Sequence, residues 1–423
     1  MSSPGLLLVA VVALAGCSTS TGPSDTPVAL DEDLDRAITL DGQRRISNFQ
    51  LPASDDFDQL PQDPRNPLTA DKVALGKWLF HEPGLSATGT VSCATCHHAG
   101  AGFQAGAARS IGSGGVGWGR NGEGRTAGPG ADVPRIRAPS ALHAAFQRVQ
   151  HWSGQFGADG PNDRLPVETD PDKPGWANTL GYRGAESQAI GAMMNHGLRG
   201  NEQAVMDAHP AYSEAWERAW PGQAPTMERV GLTIAAYERT LTATEAPFQR
   251  WLQGDVTAMD DAQKRGALLF FGKALCADCH TGPALNSMAF YSLGMRDQPG
   301  LAPSDPLAAG RFAASGDAAD RAAFKVPQLY NLADSPFLGH GGTFRSVEEV
   351  ITYYNDGIPD VQTGNVTPRF APLNLTIAEV DDLIAFVRDA LRDPNLDRYS
   401  PSSLPSGNCF PANDAAARRD LGC

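Results

Sequence analysis

Cys93-Ala94-Thr95-Cys96-His97 and Cys276-Ala277-Asp278-Cys279-His280 are two copies of one pattern, C-x-x-C-H, 183 residues apart in a chain of 423. This is the pattern of covalent haem attachment. The two thiols add to the vinyl groups of the haem as thioethers, and the adjacent His supplies a proximal nitrogen to the iron. Two residues between the thiols match the separation of the vinyls, and the His directly after the second Cys falls under the ring. A zinc site or a thioredoxin-like redox pair uses similar Cys spacing. Duplication of the whole pentapeptide argues against both.

The context of the two motifs repeats as well. Gly76-Lys77-Trp78-Leu79-Phe80 precedes the first and Gly266-Ala267-Leu268-Leu269-Phe270 the second, each on an expected helix. Thr69 can cap the first helix, and Thr257 with Asp260 makes a capping-box pattern for the second. Thr376-Ile377-Ala378-Glu379 is a further capping box, opening a helix with Val380, Leu383, Ile384, Val387 and Leu391 on one face. Packed across the helix that precedes the second motif, it would close the second domain. Helices are also expected over 182–196, 201–219 and 227–243, with little strand-like alternation, and 100–135 reads as a long Gly-rich loop just after the first haem. The fold class is mainly α: two cytochrome c-like haem domains with long irregular loops. The expected division is a signal segment over 1–17, a polar tether and extension over 18–64, a first haem domain over 65–246, a second over 247–398, and a tail over 399–423.

Composition narrows the function. The net charge of −14 argues against a nucleic-acid partner, which requires clustered Lys and Arg. Residues Leu6 to Ala15 form an apolar run too short to span a bilayer. The run ends in Leu14-Ala15-Gly16-Cys17, which resembles a bacterial lipobox, although no Lys or Arg precedes it. The expectation is export and a lipid on Cys17, which would anchor a periplasmic or cell-surface protein to the membrane. The seven cysteines then divide into Cys17, Cys93 with Cys96, Cys276 with Cys279, and a remaining pair, Cys409 and Cys423. In an oxidising compartment that pair is expected to form a disulfide in the C-terminal tail.

Beyond the haem motifs, Ala138-Pro139-Ser140-Ala141-Leu142 followed by Gln150-His151-Trp152-Ser153-Gly154 is similar to N-T-P-S-L-L…F-W-D-G. Phe324-Lys325-Val326-Pro327 with Leu329-Tyr330-Asn331 is similar to K-T-P-S-L-R-N. Ser335 to Gly342 and then Val347-Glu348-Glu349-Val350 with Tyr353-Tyr354-Asn355 follow P-Y-M-H-D-G and L-E-E-V-V-x-x-Y-N. On these residues the chain, over roughly 65–395, resembles the bacterial di-haem cytochrome c peroxidases, including the MauG-type enzymes that oxidise protein side chains. The resemblance implies two covalently bound c-type haems held by Cys93 and Cys96 and by Cys276 and Cys279, with His97 and His280 as iron ligands. It implies that Trp152 relays electrons between the haems, because an indole can lose one electron. It also matches Tyr354 to the distal ligand of the second haem, where other members carry Met; Tyr353, Met288, Met295 and His340 are rivals. A hard phenolate oxygen stabilises ferric and higher oxidation states, whereas a thioether favours ferrous iron. The implied partners are hydrogen peroxide and either a small electron-donor protein or an oxidised protein substrate, and the family allows a homodimer.

The chain departs from this family where peroxide would react. The segment E-x-Q-A-x-G-P-x-x-N-P-x-E-M reads here from Glu186 to Arg199, with Gln188 and Asn195 matching, Ala192 in place of Pro and Leu198 in place of the catalytic Glu. Leucine cannot move a proton. His196 and Glu202 bracket the gap and are the candidates to replace that Glu beside Gln188. His98 stands next to the proximal His and cannot readily reach over the ring, so an open first haem is expected. Arg137 occupies the position of an Asn that ligates an inter-domain calcium, which counts against calcium. Two functions follow: a peroxide-dependent di-haem oxidoreductase, or an electron-transfer or haem-binding protein that has lost peroxidase catalysis.

Overall fold

Leu30, Leu34 and Ile38 recur every four residues and form one apolar stripe, which folds helix α1 (Pro27–Thr39) against the second half of the chain. The computed structural model describes residues 27–39, 45–301 and 308–423; Cys17 and its lipobox lie outside the described residues. The expected polar tether is therefore corrected over 27–39. All three apolar side chains are buried, Asp31 pairs with Lys264 at 2.7 Å, and Asp31 also accepts from Trp251 Nε1.

Thr69 starts helix α2 (Ala70–His81) by accepting the Lys72 N–H. The segments expected as helices over 182–243 become α3 (Gly184–Asn195), α4 (Glu202–Ala208), α5 (Pro210–Ala219) and α6 (Met227–Glu238). Pro210 divides α4 from α5, since it cannot donate to the preceding turn. The second half contains α7 (Pro247–Leu252), α8 (Asp261–Phe271), α9 (Phe312–Ser315), α10 (Val347–Asp356) and α11 (Ile377–Ile384), and α12 (Ala415–Leu421) lies in the tail. The cap of α8 is Asp260, closed reciprocally by Gln263; Thr257 instead donates its hydroxyl to Asp255. Strand content among the described residues is two short antiparallel pairs, β1 (Gly115–Val116) with β2 (Thr126–Ala127) and β3 (Phe290–Tyr291) with β4 (Phe324–Lys325).

The repeated G-x-x-L-F explains how each half closes. α2 crosses α6, and α8 crosses α11 together with the π-helical turn Ala385–Ala390 that continues it. Gly76 and Gly266 lie at these crossings: a Cβ on Gly76 would strike Thr233 O, and one on Gly266 would strike Asp382 O. Glycine lets the backbones meet, and Leu79, Phe80 and Phe270 then fill the two cores. The division along the chain is less simple than two consecutive blocks. Leu34, Phe49 and Leu51 join the second core, while Leu396 and Tyr399 join the first.

Candidate active site

Each C-x-x-C-H motif is wound into a short 3-10 turn, Cys93–Thr95 and Cys276–Asp278. The four thiols are not bonded to one another. His97 is held by Nδ1–H donation to Phe103 O at 3.2 Å, and His280 by donation to Leu285 O at 2.9 Å and Pro327 O at 3.1 Å. A backbone acceptor at Nδ1 fixes the tautomer that leaves Nε2 free, the arrangement of a metal-bound imidazole. Burial lowers the pKa of His97 to about 4 and also lowers that of His280, so both rings are neutral, as ligation requires.

A cavity of about 350 Å³ opens over the second motif. Its walls include Cys276, Cys279, His280, Tyr354, Met295 and His340, with Trp152 at the first-domain side. Tyr354 lies on α10 and lines the same cavity as Cys276 and Cys279, and burial pushes its pKa up. Tyr353 on the same helix is committed elsewhere, donating to Leu293 O at 2.7 Å. His340 Nε2 is 3.0 Å from Asp297 Oδ1, and its ring stacks on Phe324. Of the rivals, Met295 and His340 share the cavity with Tyr354, and neither Tyr353 nor Met288 lines it.

Trp152 joins the two halves. Its Nε1–H donates to Arg137 O at 2.8 Å, and its own carbonyl accepts from Lys325 N–H of β4 at 2.8 Å. Its ring meets His340 edge-on at 6.3 Å.

Around the first motif, His196 caps the C-terminus of α3, with Nδ1 3.2 Å from Asp132 Oδ2 of the Gly-rich loop. Burial holds His97 and His151 neutral, each with its pKa lowered to about 4. Leu198 is 3% exposed and packed in the first core. Gln188 is half-buried on α3. Glu202 begins α4 and is buried; its Oε2 accepts from Gly200 N–H at 2.9 Å and its Oε1 has no partner. His98 turns away to meet Trp118 edge-on. The disulfide between Cys409 and Cys423 is present. The sequence reading missed His151, Asp132 and Lys325 as parts of these sites. His151 stands beside Trp152 in the segment that resembles the family, and its place next to that motif was the available signal.

Residues 70–257 match the family described as di-haem cytochrome c peroxidase. The methylamine utilization protein MauG of Methylorubrum extorquens is 31% identical over 350 residues, covering 82% of this chain and 84% of that protein. The chain belongs to the di-haem cytochrome c peroxidase family. Another relative in this family is the cytochrome-c peroxidase IdrP1 of Denitromonas iodatirespirans, 29% identical over 83% of this chain and 89% of its own length. The solved structure of a MauG-like protein associated with microbial copper homeostasis superposes with a TM-score of 0.63 at 22% identity, covering 82% of this chain and 96% of that one. That likeness establishes the fold: mainly α, in the manner of the di-haem peroxidases. As a family member the protein is a peroxidase-type oxidoreductase, and the family implies two c-type haems. The neutral, backbone-anchored His97 and His280, the unbonded thiols and the cavity over His280 fit them.

Proposed function

We propose that the protein is a peroxide-dependent di-haem oxidoreductase in which Trp152 connects a reactive site on His97 with a second site held by His280 and Tyr354. When bound, the haems supply the redox-active iron for peroxide reduction and for storage of oxidising equivalents. The chain supplies the rest. His97 and His280 are held as neutral ligands by carbonyls, Tyr354 presents a phenol oxygen, and Trp152 bridges the two halves with its N–H fixed on Arg137 O. The observation that carries this reading is that Tyr354, His280 and Trp152 face one cavity, while Tyr353 is bound elsewhere. His196, whose Nδ1 stands 3.2 Å from Asp132 Oδ2, is the proton-handling candidate for the first site; Gln188 and Glu202 stand on the same stretch. The reductant or oxidised substrate would be a protein, and export with a lipid on Cys17 would place the reaction outside the cytoplasm. No helix among the described residues is long and apolar enough to cross a membrane.

Stopped-flow mixing of the diferric protein with peroxide should shift the Soret band, and an unchanged band overturns the proposal. Tyr354→Phe should keep both haems but change the EPR spectrum of the second, whereas an unchanged spectrum excludes Tyr354 as ligand. Buried Leu198 at the catalytic Glu position favours a second reading, an electron carrier without catalysis. That reading requires both ferric haems to be six-coordinate and low-spin, so one high-spin haem decides against it.

A further inference from the structure

Arg137 and Lys325 are buried cations that meet no carboxylate among the described residues. Arg137 is 1% exposed and Lys325 is 5% exposed. The guanidinium donates only to neutral oxygens, those of Gln104, Ala105, Ala138 and Ser335, and its Nε has no partner. The Lys325 ammonium donates to the amide oxygen of Gln147 at 2.5 Å. Burial alone pulls Arg137 down to about 9 and Lys325 to about 7, with no acidic group offsetting it. Burying a charge this way is strongly unfavourable unless an opposite charge arrives.

Both side chains border the cavity over His280, and both are tied to Trp152 through the backbone. An occupant with an apolar body and carboxylates at its edge fits this wall, and a haem has that form: a flat apolar ring with two propionate arms. We propose that Arg137 and Lys325 form a carboxylate-binding site for the haem propionates in the seam between the two halves. Two positive charges beside Trp152 would oppose removal of an electron from its indole, and the propionates cancel them. The proposal rests on the two-haem reading of the family.

The test uses the holoprotein, with Arg137→Gln, Lys325→Gln, the charge-retaining Arg137→Lys and Lys325→Arg, and the surface control Arg218→Gln. Haem content comes from the pyridine haemochrome and midpoint potentials from spectroelectrochemistry. Each neutral variant should keep two haems per chain and show a lower second-haem potential than the control, because loss of a cation favours ferric iron. The charge-retaining variants should remain near the wild type. Two haems with unchanged potentials in both neutral variants would overturn the proposal. Fewer than two haems in the wild type would instead refute the reading on which it rests. If the neutral variants fail to mature, redox-difference infrared spectra of wild-type protein with 13C-labelled haem carboxyls decide. Ionised carboxylate bands should persist from about pH 8 down to about pH 5, and a protonated-acid band near the middle of that range overturns the pairing.

Discussion

His143 shows how one residue ties the fold to pH. It is fully buried, its Nε2 accepts from Ala243 N–H at 3.1 Å, and its ring meets Tyr330 edge-on. Burial lowers its pKa to about 3, so the folded protein holds it neutral where the unfolded chain, titrating near ~6.5, would charge it. Below that value the unfolded state binds the extra proton. Stability is therefore complete above the unfolded pKa and declines as the pH falls toward the folded one. The cost through this window is on the order of a few kcal/mol. His143→Gln keeps an acceptor for Ala243 and removes the titration. Thermal melts between about pH 7 and about pH 4 should show a shallower acid decline than the wild type, and parallel declines would show that His143 does not contribute. The residues legible from the sequence at this scale were those whose chemistry needs fixed spacing, the four thiols, His97 and His280. His143 acts through burial, which no local pattern encodes.

Helix crossings were half legible. The G-x-x-L-F repeat marked α2 and α8, and the Thr376 box marked α11, but only the structure shows why the glycine recurs. Gly266→Ala places a methyl against Asp382 O, and Gly76→Ala one against Thr233 O with Tyr237 Cβ 2.9 Å away. Alanine recovers about 1 kcal/mol of helix propensity, whereas overpacking at a backbone contact costs about 1–3 kcal/mol, so net destabilisation is expected. Both variants should unfold at lower denaturant concentration than the wild type, and an unchanged midpoint would mean that the crossings are looser than described. The tail is a second case. Counting cysteines pointed to a bridge between Cys409 and Cys423, but it could not show what the bridge fastens. Asp414 accepts from Gly117 N–H and pairs with Arg125 at 3.0 Å, Asp420 accepts from the Trp118 and Gly119 N–H groups, and Pro411 O accepts from Thr95 and Ser92. One strap thus pins the Gly-rich loop and the first haem turn together. Closing a loop of this size is worth about 3 kcal/mol. Cys409→Ser with Cys423→Ser should lower the melting temperature and speed proteolysis within residues 100–135, and cleavage at the wild-type rate would show that the loop holds itself.

At the scale of the molecule, the two ends are exchanged between the halves. Leu34, Ile38, Phe49 and Leu51, ahead of α2, pack in the second core, and Leu396 and Tyr399, beyond the π-helical turn, pack in the first. This exchange was the least legible feature, because α1 is rich in acidic residues and set in a polar stretch, so composition alone reads it as a tether. Its stripe of Leu30, Leu34 and Ile38 buries against the second half, including α8, and each such side chain contributes up to about 1.5–3 kcal/mol. The Asp31 contacts with Lys264 and Trp251 add direction, since Lys264 and Asp31 are both largely shielded from water. A helix that serves only as a spacer to a membrane could be removed without consequence. One that completes a core could not. A mature chain beginning at residue 45 should therefore keep both haems attached, yet melt in two steps, with the second-haem Soret signal lost first and the first-haem signal little changed. Leu34→Ala in the full chain should reproduce that order at smaller amplitude, costing about 2–5 kcal/mol. If the shortened chain melts as the wild type does, α1 contributes reach and not stability.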